Sequence, residues 1–496
     1  MKLHLNKEPN LQARKVAFDY QLEAFKAIKD LDYCAIFHEQ GLGKTKIAID
    51  LMLYWLENKL IDTVIIVAKK SLIANWMSEL KDHCYIKPVI LTQDKKANYY
   101  VFNSPSRLIL ANYEAIRSEH ERMDLFLRAR DIATILDESA KIKNPESAIT
   151  QTFFELASSF KKRVIMTGTP VANRPYDIWA QIWFLDQGRS LGNDFYNFRS
   201  NLDLTNDLAD DEEKKFLLER EMNSIFQKIS EFTVRETKHS GIISLPKKIY
   251  HKVVTEWESY QHELYGNIRQ EMKAIILKDG IPTEDISENT LKRLLRLVQV
   301  ASNPRIIDET YNLEPGKLIY LKNIIYNIVK NKEKCIIWSS FTHNIDWLAM
   351  ELKEFGTSKV YGKMDIYSRT RNIDKFKNDS DTAILIATPG AAKEGLTLTV
   401  ANHVIFYDRS FSLDDYLQAQ DRIHRISQSK TCNVYNLIMK DSIDEWIDVL
   451  LNAKELAAKL TQGDISLDYY RSQMSYSYGD ILKNILNIHS EQEIYG

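Results

Sequence analysis

The sequence is short of the features that mark secreted, metal-stapled and membrane-spanning proteins. Its four cysteines, Cys34, Cys84, Cys335 and Cys432, lie far apart with no CxxC pair. That spacing argues against structural zinc and a disulfide framework and fits a reducing cytosol. No run approaches the roughly 18 consecutive apolar residues of a membrane span, and the first residues lack the apolar core of a signal peptide. We therefore expect a soluble cytoplasmic protein without a membrane partner.

Excess charge of one sign is also missing, because the formal net charge is −2. This value excludes a globally basic protein, but it leaves nucleic acid open as a partner, since a protein can confine its basic residues to one groove. Hydrophobic residues make up 44% of the 496 positions, which suffices for roughly two to four domains with sizeable cores. Function therefore has to be inferred from motifs and local charge.

Short β-branched runs alternate with helical stretches in two separate parts of the chain. The first series has strand candidates at 32–37, 62–68, 107–112, 132–138 and 163–168. The second series has strand candidates at 334–340, 359–362, 383–388, 403–408 and 432–438. Apolar strands that alternate with helices indicate an open, mostly parallel sheet with helices on both faces.

These patterns predict an α/β fold of two parallel-sheet lobes with helical insertions between them. The first lobe is expected at 1–230, with a helical insertion at about 187–230. The second is expected at 231–460, with a connecting strand around 245–255 and a helical insertion at about 256–303. A C-terminal extension would occupy 461–496.

A phosphate-binding loop is predicted at GLGKT, Gly41 to Thr45, between a strand and a helix. Phosphates need clustered backbone N–H donors, and glycines let the chain turn tightly and approach closely. Lys44 would contact the β- and γ-phosphates, and the Thr45 hydroxyl would bind Mg²⁺. His38 occupies the first glycine position of the usual GxxxxGK[ST] pattern. The sequence therefore predicts ATP with magnesium as the cofactors.

A carboxylate pair, Asp137-Glu138, ends the predicted strand ATILDE. An Asp at the carboxyl end of a strand can hold Mg²⁺, and the adjacent Glu can activate the water that attacks the γ-phosphate. A pair of this kind in isolation means little. Its position downstream of a phosphate loop, on a strand of its own, predicts catalytic roles.

A pair of arginines, Arg422 and Arg425, lies in QAQDRIHRISQ at 418–428. Three positions apart on a helix, they would share one face and could meet γ-phosphate oxygens, as arginine fingers do. Surface salt bridges are the alternative interpretation. Because the arginines belong to the second predicted lobe and the phosphate loop to the first, ATP bound between the lobes would need both, and hydrolysis could drive closure.

In these motifs and their order the chain resembles the Swi/Snf-related (Snf-two-like) branch of superfamily-two helicases, from about residue 19 to residue 444. EQGLGKT and MTGTPVANRPYDIWAQIWFLD (166–186) are the most characteristic stretches. The resemblance implies that both parallel-sheet lobes are RecA-like. It implies an ATP site made of Gln21, Gln40, Gly41, Leu42, Gly43, Lys44, Thr45 and Gly395. It also implies residues that couple the nucleotide state to DNA, namely Thr167, Thr169, Asn173 and Gln418.

The chain departs from that family pattern at three places. Phe18 stands where the family usually has Arg, Ala140 replaces the His of DExH, and AKEG at 392–395 replaces GGxG. The phosphate loop of the family also lacks the first glycine, so His38 is no departure.

The resemblance implies contacts to the phosphates of double-stranded DNA, which would be strongly salt-sensitive and weakly dependent on sequence. The candidate DNA contacts are Lys69, Lys70, Asn75, Trp76, Tyr113, Lys141, Lys143, Asn144, Thr388, Lys393 and Thr397. For Trp76, simple packing is an open alternative, and Lys141 and Lys143 could instead lie in a solvated loop.

The implied function is an ATP-dependent motor that translocates along duplex DNA, in a compact bacterial or phage form. A strand-separating DNA or RNA helicase is the nearest alternative, because it shares the catalytic core. A motor subunit of a restriction or anti-phage assembly, with a separate nuclease or defence partner, is another. A non-catalytic clamp that binds ATP is disfavoured, because Lys44, Asp137, Glu138 and both arginines are present.

Overall fold

The computed structural model describes residues 5, 7–171, 173–203, 212–238, 240, 245–279, 291–392, 397–425, 427–474, 476, 481 and 484. Lys393 and Gly395, which have predicted roles, lie outside the described residues. Within that described part, no helix is both long and apolar enough to cross a membrane.

Strands and helices are numbered in chain order. The strands are β1 Tyr33–Ile36, β2 Thr63–Ala68, β3 Val89–Leu91, β4 Leu108–Asn112, β5 Ile132–Asp137, β6 Lys162–Met166, β7 Thr233–Val234, β8 Lys248–Thr255, β9 Cys335–Trp338, β10 Thr357–Val360, β11 Ile384–Ala387, β12 His403–Phe406 and β13 Cys432–Met439. The helices are α1 Asp19–Ile28, α2 Lys44–Glu57, α3 Ile73–His83, α4 Lys95–Asn103, α5 Tyr113–Ser118, α6 His120–Ala129, α7 Ala148–Ala157, α8 Trp179–Asp186, α9 Phe195–Leu202, α10 Glu212–Ile229, α11 Ser259–Asp279, α12 Leu291–Ser302, α13 Gly316–Lys330, α14 Thr342–Glu351, α15 Ile366–Asn378, α16 Pro389–Ala392, α17 Leu413–Gln420, α18 Ile443–Thr461 and α19 Leu467–Gln473.

The first sheet is parallel and has the strand order β3-β4-β2-β5-β6-β1-β7. Its inner strands are apolar on both faces, as expected for a sheet covered by helices on both sides. Met166 of β6 is level with Ile36 of β1 on one side and Asp137 of β5 on the other. The segments that follow these three strands therefore emerge together at one edge of the sheet.

The second sheet is also parallel, with the order β10-β11-β9-β12-β13-β8. Strand β8, the connecting strand predicted around 245–255, pairs with β13 along its whole length as the edge of this sheet. Two parallel α/β sheets with helices confirm the predicted fold class.

Two short strands, β3 and β7, are absent from the sequence prediction. They contain three and two residues, too few for a buried run or an alternating pattern to stand out. Both lie at edges of the first sheet. Tertiary pairing, rather than local sequence, therefore defines them.

The described residues form two compact units. The first unit comprises Met1–Leu202, Arg220–Ile243 and Thr461–Asp464, and the second comprises Asp203–Glu219, Ser244–Leu460 and Ile465–Gly496. Helices α9 and α10 lie in the predicted insertion at 187–230, and α11 and α12 lie in the one at 256–303. The predicted domain limits after residues 230 and 460 stay predictions about which segments fold together.

Candidate active site

The loop between β1 and α2 has the backbone geometry of a phosphate cradle. Gly41 and Gly43 adopt left-handed conformations, with φ of 87° and 70°, which residues with a Cβ rarely adopt. A Cβ on Gly43 would lie 2.1 Å from Nε2 of Gln21. Helix α2 begins at the next residue, Lys44, so its unpaired N–H groups and its positive dipole end face the loop.

The ammonium group of Lys44 lies inside this loop. Its Nζ donates to the carbonyl oxygens of His38 and Glu39, at 2.9 and 3.3 Å. Burial and the nearby Lys44 charge lower the pKa of His38 to about 4, so this ring is neutral at physiological pH. The position that lacks the first glycine therefore holds a buried neutral side chain, and Lys44 carries the positive charge of the loop.

Gln21, which the resemblance implies as part of the ATP site, makes hydrogen bonds to the phosphate loop. Its Nε2 donates to the carbonyl oxygen of Leu42 and to the Tyr20 hydroxyl, both at 3.3 Å, and its Oε1 accepts from the backbone N–H of Phe18. The Tyr20 hydroxyl also donates to the Leu42 carbonyl. Gln21 is buried, whereas Phe18 is exposed. The amide thus lies beside the phosphate loop, and its role in ATP binding stays a prediction.

The carboxylate pair stands at the carboxyl end of β5. Oδ1 of Asp137 accepts from the backbone N–H of Glu138 at 2.9 Å, and Glu138 has a left-handed backbone with φ of 53°. Such a conformation costs about 1 kcal/mol or more in a non-glycine residue, and strained residues cluster at functional sites. The strained turn directs Glu138 away from the continuing strand.

Two aromatic side chains hold Asp137. Trp76 Nε1 donates to Oδ2 of Asp137 and the Tyr113 hydroxyl donates to its carbonyl oxygen, both at 2.8 Å. Trp76 is 1% exposed and Tyr113 is 0% exposed, which leaves neither ring a face for a DNA backbone. The prediction that Trp76 and Tyr113 contact DNA directly is therefore corrected: both side chains hold Asp137 in place. For Trp76, the alternative of packing inside the protein agrees with its burial.

The surroundings of Asp137 suit a bound cation. Burial raises the pKa of Asp137, and the nearby Glu138 charge raises it further, while the Trp76 hydrogen bond and Lys44 oppose the shift. A buried carboxylate with incompletely compensated charge gains from a divalent cation, and Mg²⁺ prefers one or two carboxylates together with phosphate oxygens. Asp137 and the hydroxyl of Thr45, at the first turn of α2, are the residues that would hold it.

A tight turn after β6 lies against the phosphate loop. The backbone N–H of Thr167 donates to the Ile36 carbonyl, and that of Thr169 donates to Oγ1 of Thr167 at 3.2 Å. A Cβ on Gly168 would lie 2.7 Å from Cγ of Gln40 and 3.4 Å from Nζ of Lys44. Two of the predicted coupling residues, Thr167 and Thr169, therefore belong to the same site as Lys44.

The second unit carries the arginine pair, but not on a helix. Helix α17 ends at Gln420. Two residues later, the Arg422 carbonyl accepts a hydrogen bond from the N–H of Leu398, and the chain turns away. Arg422 is buried, and Arg425 donates to Oγ1 of Thr397 at 2.7 Å. The expectation of one shared helical face is thus wrong, because the two arginines follow the helix in a turn and a bend.

Three other described residues of the second unit have predicted roles, namely Gln418, Thr388 and Thr397. Nε2 of Gln418 donates to Oδ1 of Asp414 one turn back in α17, at 2.7 Å. Thr388 is half-buried directly after β11. Thr397, a predicted DNA contact, is the hydroxyl partner of Arg425.

The family is established by comparison with known domains. The SNF2-related domain matches residues 12–306, and the helicase conserved C-terminal domain matches residues 316–427. The first match alone covers more than half of the chain. The protein belongs to the SNF2-related family. The resemblance drawn from the motifs is confirmed.

Relatives of this SNF2-related chain occur in bacteria and animals. It is 28% identical to an ATP-dependent helicase of Mycoplasma genitalium over 478 residues, 94% of the chain and 44% of the relative. It is 27% identical to the chromodomain-helicase-DNA-binding protein 1-like of Danio rerio over 460 residues, 86% of the chain and 42% of the relative. The chain thus spans less than half the length of these relatives. A solved structure, the Sulfolobus solfataricus SWI2/SNF2 ATPase core in complex with dsDNA, is similar at 21% identity and a TM-score of 0.43, covering 96% of this chain and 100% of that one.

Apart from buried Trp76 and Tyr113, the predicted DNA contacts of the first unit of the SNF2-related chain are exposed or half-buried. Lys70 and Asn75 are exposed and Lys69 is half-buried, where β2 leads into α3. Lys141 pairs with Glu114 at 3.1 Å, and Lys143 pairs with Asp177 at 2.8 Å. The side chain of Asn144 accepts from the backbone N–H of Glu146. Lys69, Lys70 and Asn75 therefore lie at the carboxyl edge of the first sheet, on the side of Asp137.

Sequence reasoning missed Arg235, which contacts the segment between β1 and the phosphate loop of this SNF2-related protein. Its guanidinium donates to the Phe37 carbonyl at 2.8 Å and forms a bidentate pair with Asp464. The N–H groups of Phe37 and Glu39 donate to the carbonyls of Val234 and Glu236. No local pattern could show this, because the partners come from three distant parts of the chain.

Trp76→Phe in this SNF2-related protein should lower ATP turnover about tenfold, because the half-buried Asp137 carboxylate loses a hydrogen bond whose net contribution is about 1.5–3 kcal/mol. The pKa of Asp137 should rise further, so the loss should grow as pH falls and the carboxylate protonates. The measurement is steady-state ATP hydrolysis across pH and magnesium concentration.

Trp55→Phe is the matched control for this substitution. Trp55 is also buried, and its Nε1 donates to the carbonyl oxygen of Lys29 at 2.7 Å. It lies in the last turn of α2, at the end of that helix opposite to Lys44. It should lose stability without a pH-dependent loss of turnover. Equal pH profiles for Trp76→Phe and the wild type would show that the hydrogen bond has no part in holding the Asp137 charge.

Proposed function

We propose that this chain is an ATP-hydrolysing motor that moves along the backbone of double-stranded DNA. The observation that carries the proposal is the juxtaposition of Lys44, half-buried Asp137 and strained Glu138 at one sheet edge of an SNF2-related chain. The names of its relatives, an ATP-dependent helicase and a chromodomain-helicase-DNA-binding protein, support ATP and DNA as ligands.

In the proposed reaction each group of the chain has a separate task. The N–H groups at the start of α2 and Lys44 bind the phosphates, and Gln21 orients the base. Glu138 accepts a proton from the attacking water as a general base. A magnesium ion held by Asp137 and Thr45 would supply charge stabilisation at the γ-phosphate. Arg422 and Arg425 are proposed to neutralise charge that develops on the transferred phosphoryl group.

The coupling and DNA-binding roles remain part of the same proposal. Thr167, Thr169 and Asn173 are proposed to transmit the nucleotide state within the first unit, and Gln418 within the second. Lys69, Lys70 and Asn75 would contact phosphates at the carboxyl edge of the first sheet. These contacts would bind without reading sequence, because phosphates carry no sequence information directly.

The test is steady-state ATP hydrolysis with duplex DNA, single-stranded DNA and RNA, with triplex displacement alongside. We expect duplex DNA to stimulate most and the third strand to be displaced. Equal or greater stimulation by RNA would refute the substrate assignment. Separation of forked duplex strands would favour the helicase alternative, and co-purification of a nuclease or methyltransferase would favour a defence assembly.

Lys70→Gln should weaken duplex binding about equally for all sequences and reduce the slope of log affinity against log salt by about 1. The physical reason is the loss of one released counterion for each phosphate contact removed. Affinity should be measured by titration at several salt concentrations. The control is Lys330→Gln, which replaces an exposed lysine at the end of α13 and should leave the slope unchanged. An unchanged slope in Lys70→Gln would show that Lys70 does not contact the DNA.

A further inference from the structure

A buried amide joins two catalytic segments of the first unit. Gln181 of α8 is 0% exposed, and its neighbours Ala180, Ile182, Phe184 and Leu185 are buried and apolar. A polar side chain in such a setting is costly unless its hydrogen bonds are satisfied. Its position therefore has to be explained by its partners.

The partners of Gln181 come from the two turns that flank the nucleotide site. Its Oε1 accepts from the Ser139 hydroxyl at 2.8 Å, and Ser139 directly follows Glu138. Its Nε2 donates to the Pro170 carbonyl at 3.0 Å, and Pro170 directly follows Thr169. One amide thus fixes the distance between the turn of the proposed general base and the turn that lies against Lys44.

The same amide reaches toward the surface. Nε2 of Gln181 also donates to the carbonyl oxygen of Asp177 at 2.9 Å, and the carboxylate of Asp177 pairs with Lys143. Asp177 is buried, whereas Lys143 is partly exposed. A phosphate that drew Lys143 away would leave a buried carboxylate uncompensated, which is unfavourable. Contacts therefore run continuously from Lys143 to the residue after Glu138.

We propose that Gln181 is a positioning residue for ATP hydrolysis, which sets the geometry of Glu138 and makes it responsive to the state of Lys143. The inference rests on the proposed function. Glu138 has a strained backbone and makes its turn immediately before Ser139, so the Ser139 anchor determines where the carboxylate points. A displacement of a catalytic group by about 1 Å can cost up to about a hundredfold in rate.

The experiment compares Gln181→Met and Ser139→Ala, singly and together, in the full chain. Methionine keeps the length and volume of glutamine but none of its hydrogen bonds. We expect either single variant to lower the DNA-stimulated kcat about ten- to a hundredfold, with the Kd for ATP changed by less than about twofold. The double variant should be no slower than the slower single variant, because both remove the same bridge.

The chain offers a close control in Gln261 of α11. This amide is also 0% exposed and donates through Nε2 to two carbonyls, those of Val300 and Ala301, while its Oε1 accepts from the N–H of Gly316. Gln261→Met should lower the thermal midpoint by a similar amount and leave kcat within about twofold of wild type. A fall in kcat confined to the Gln181 bridge would separate positioning from stability.

Two negative results have different meanings. An active wild type in which Gln181→Met or Ser139→Ala retains kcat, or loses only thermal stability, overturns the positioning role and leaves the proposed function standing. Independent, additive losses in the double variant also overturn it. A wild-type protein with no ATP turnover overturns the proposed function, and the positioning role with it.

Discussion

Glu138→Gln should leave ATP bound and remove nearly all turnover. Glutamine keeps the shape of the side chain and the left-handed turn at this position but cannot accept a proton from water. Loss of a general base typically costs about 10²–10⁴ in rate, and we expect a fall within that range because the attacking water would lose its proton acceptor. Phosphate release and equilibrium binding of a fluorescent ATP analogue measure the two properties separately.

The control for Glu138→Gln is Glu57→Gln, which makes the same change of charge at the exposed end of α2. It should retain both binding and turnover. Near-normal hydrolysis by Glu138→Gln would remove Glu138 as the base, and loss of ATP binding would show that its charge serves the ground state instead.

Gly43→Ala should weaken ATP binding about tenfold or more. The alanine Cβ would lie 2.1 Å from Nε2 of Gln21, so either the amide or the phosphate loop must move. The left-handed backbone adds about 1 kcal/mol of strain for a residue with a Cβ. Since Gln21 also donates to the Leu42 carbonyl, a displaced Gln21 side chain would disturb the backbone of the phosphate loop on both sides of Gly43. Isothermal titration with ATP and magnesium is the direct measurement.

Gly192→Ala isolates the backbone strain from the steric clash. Gly192 has a similarly left-handed φ of 82°, and a Cβ there would meet no atom within 4 Å. This variant should lose about 1 kcal/mol of stability and bind ATP normally. Wild-type affinity in Gly43→Ala would mean that the loop tolerates a Cβ and that Gln21 does not lie where the structure has it when nucleotide binds.

The sequence predicted the parts of the fold that local pattern encodes. Buried parallel strands are continuous apolar runs, so all strands longer than three residues were expected near their observed positions. The sequence also predicted Lys44 after one strand and Asp137 at the end of another, and the parallel sheet brings the two together because carboxyl ends of its strands meet at one edge. Motif order identified the family for the same reason, since spacing survives when individual residues change.

What remained hidden depends on contacts between distant residues. An aromatic such as Trp76 looks the same in a sequence whether it faces DNA or holds a carboxylate, and only its burial against Asp137 decides. The helical pattern of 418–428 continues past the true end of α17, where a hydrogen bond from Leu398 redirects the chain. Gln181 gave no signal at all, because an amide within an apolar helix has meaning only through its partners.

Strand β7 also sets the order in which the first unit can be completed during synthesis. The segment that precedes the phosphate cradle donates hydrogen bonds to the carbonyls of Val234 and Glu236. Arg235 also binds this segment, at the Phe37 carbonyl, and it is paired with Asp464. A ribosome would therefore release the cradle residues before the strand that supports them, and Asp464 would follow only after more than 200 further residues. Full nucleotide affinity should thus appear only after residue 464 has been synthesised, and the first 230 residues alone should lack it.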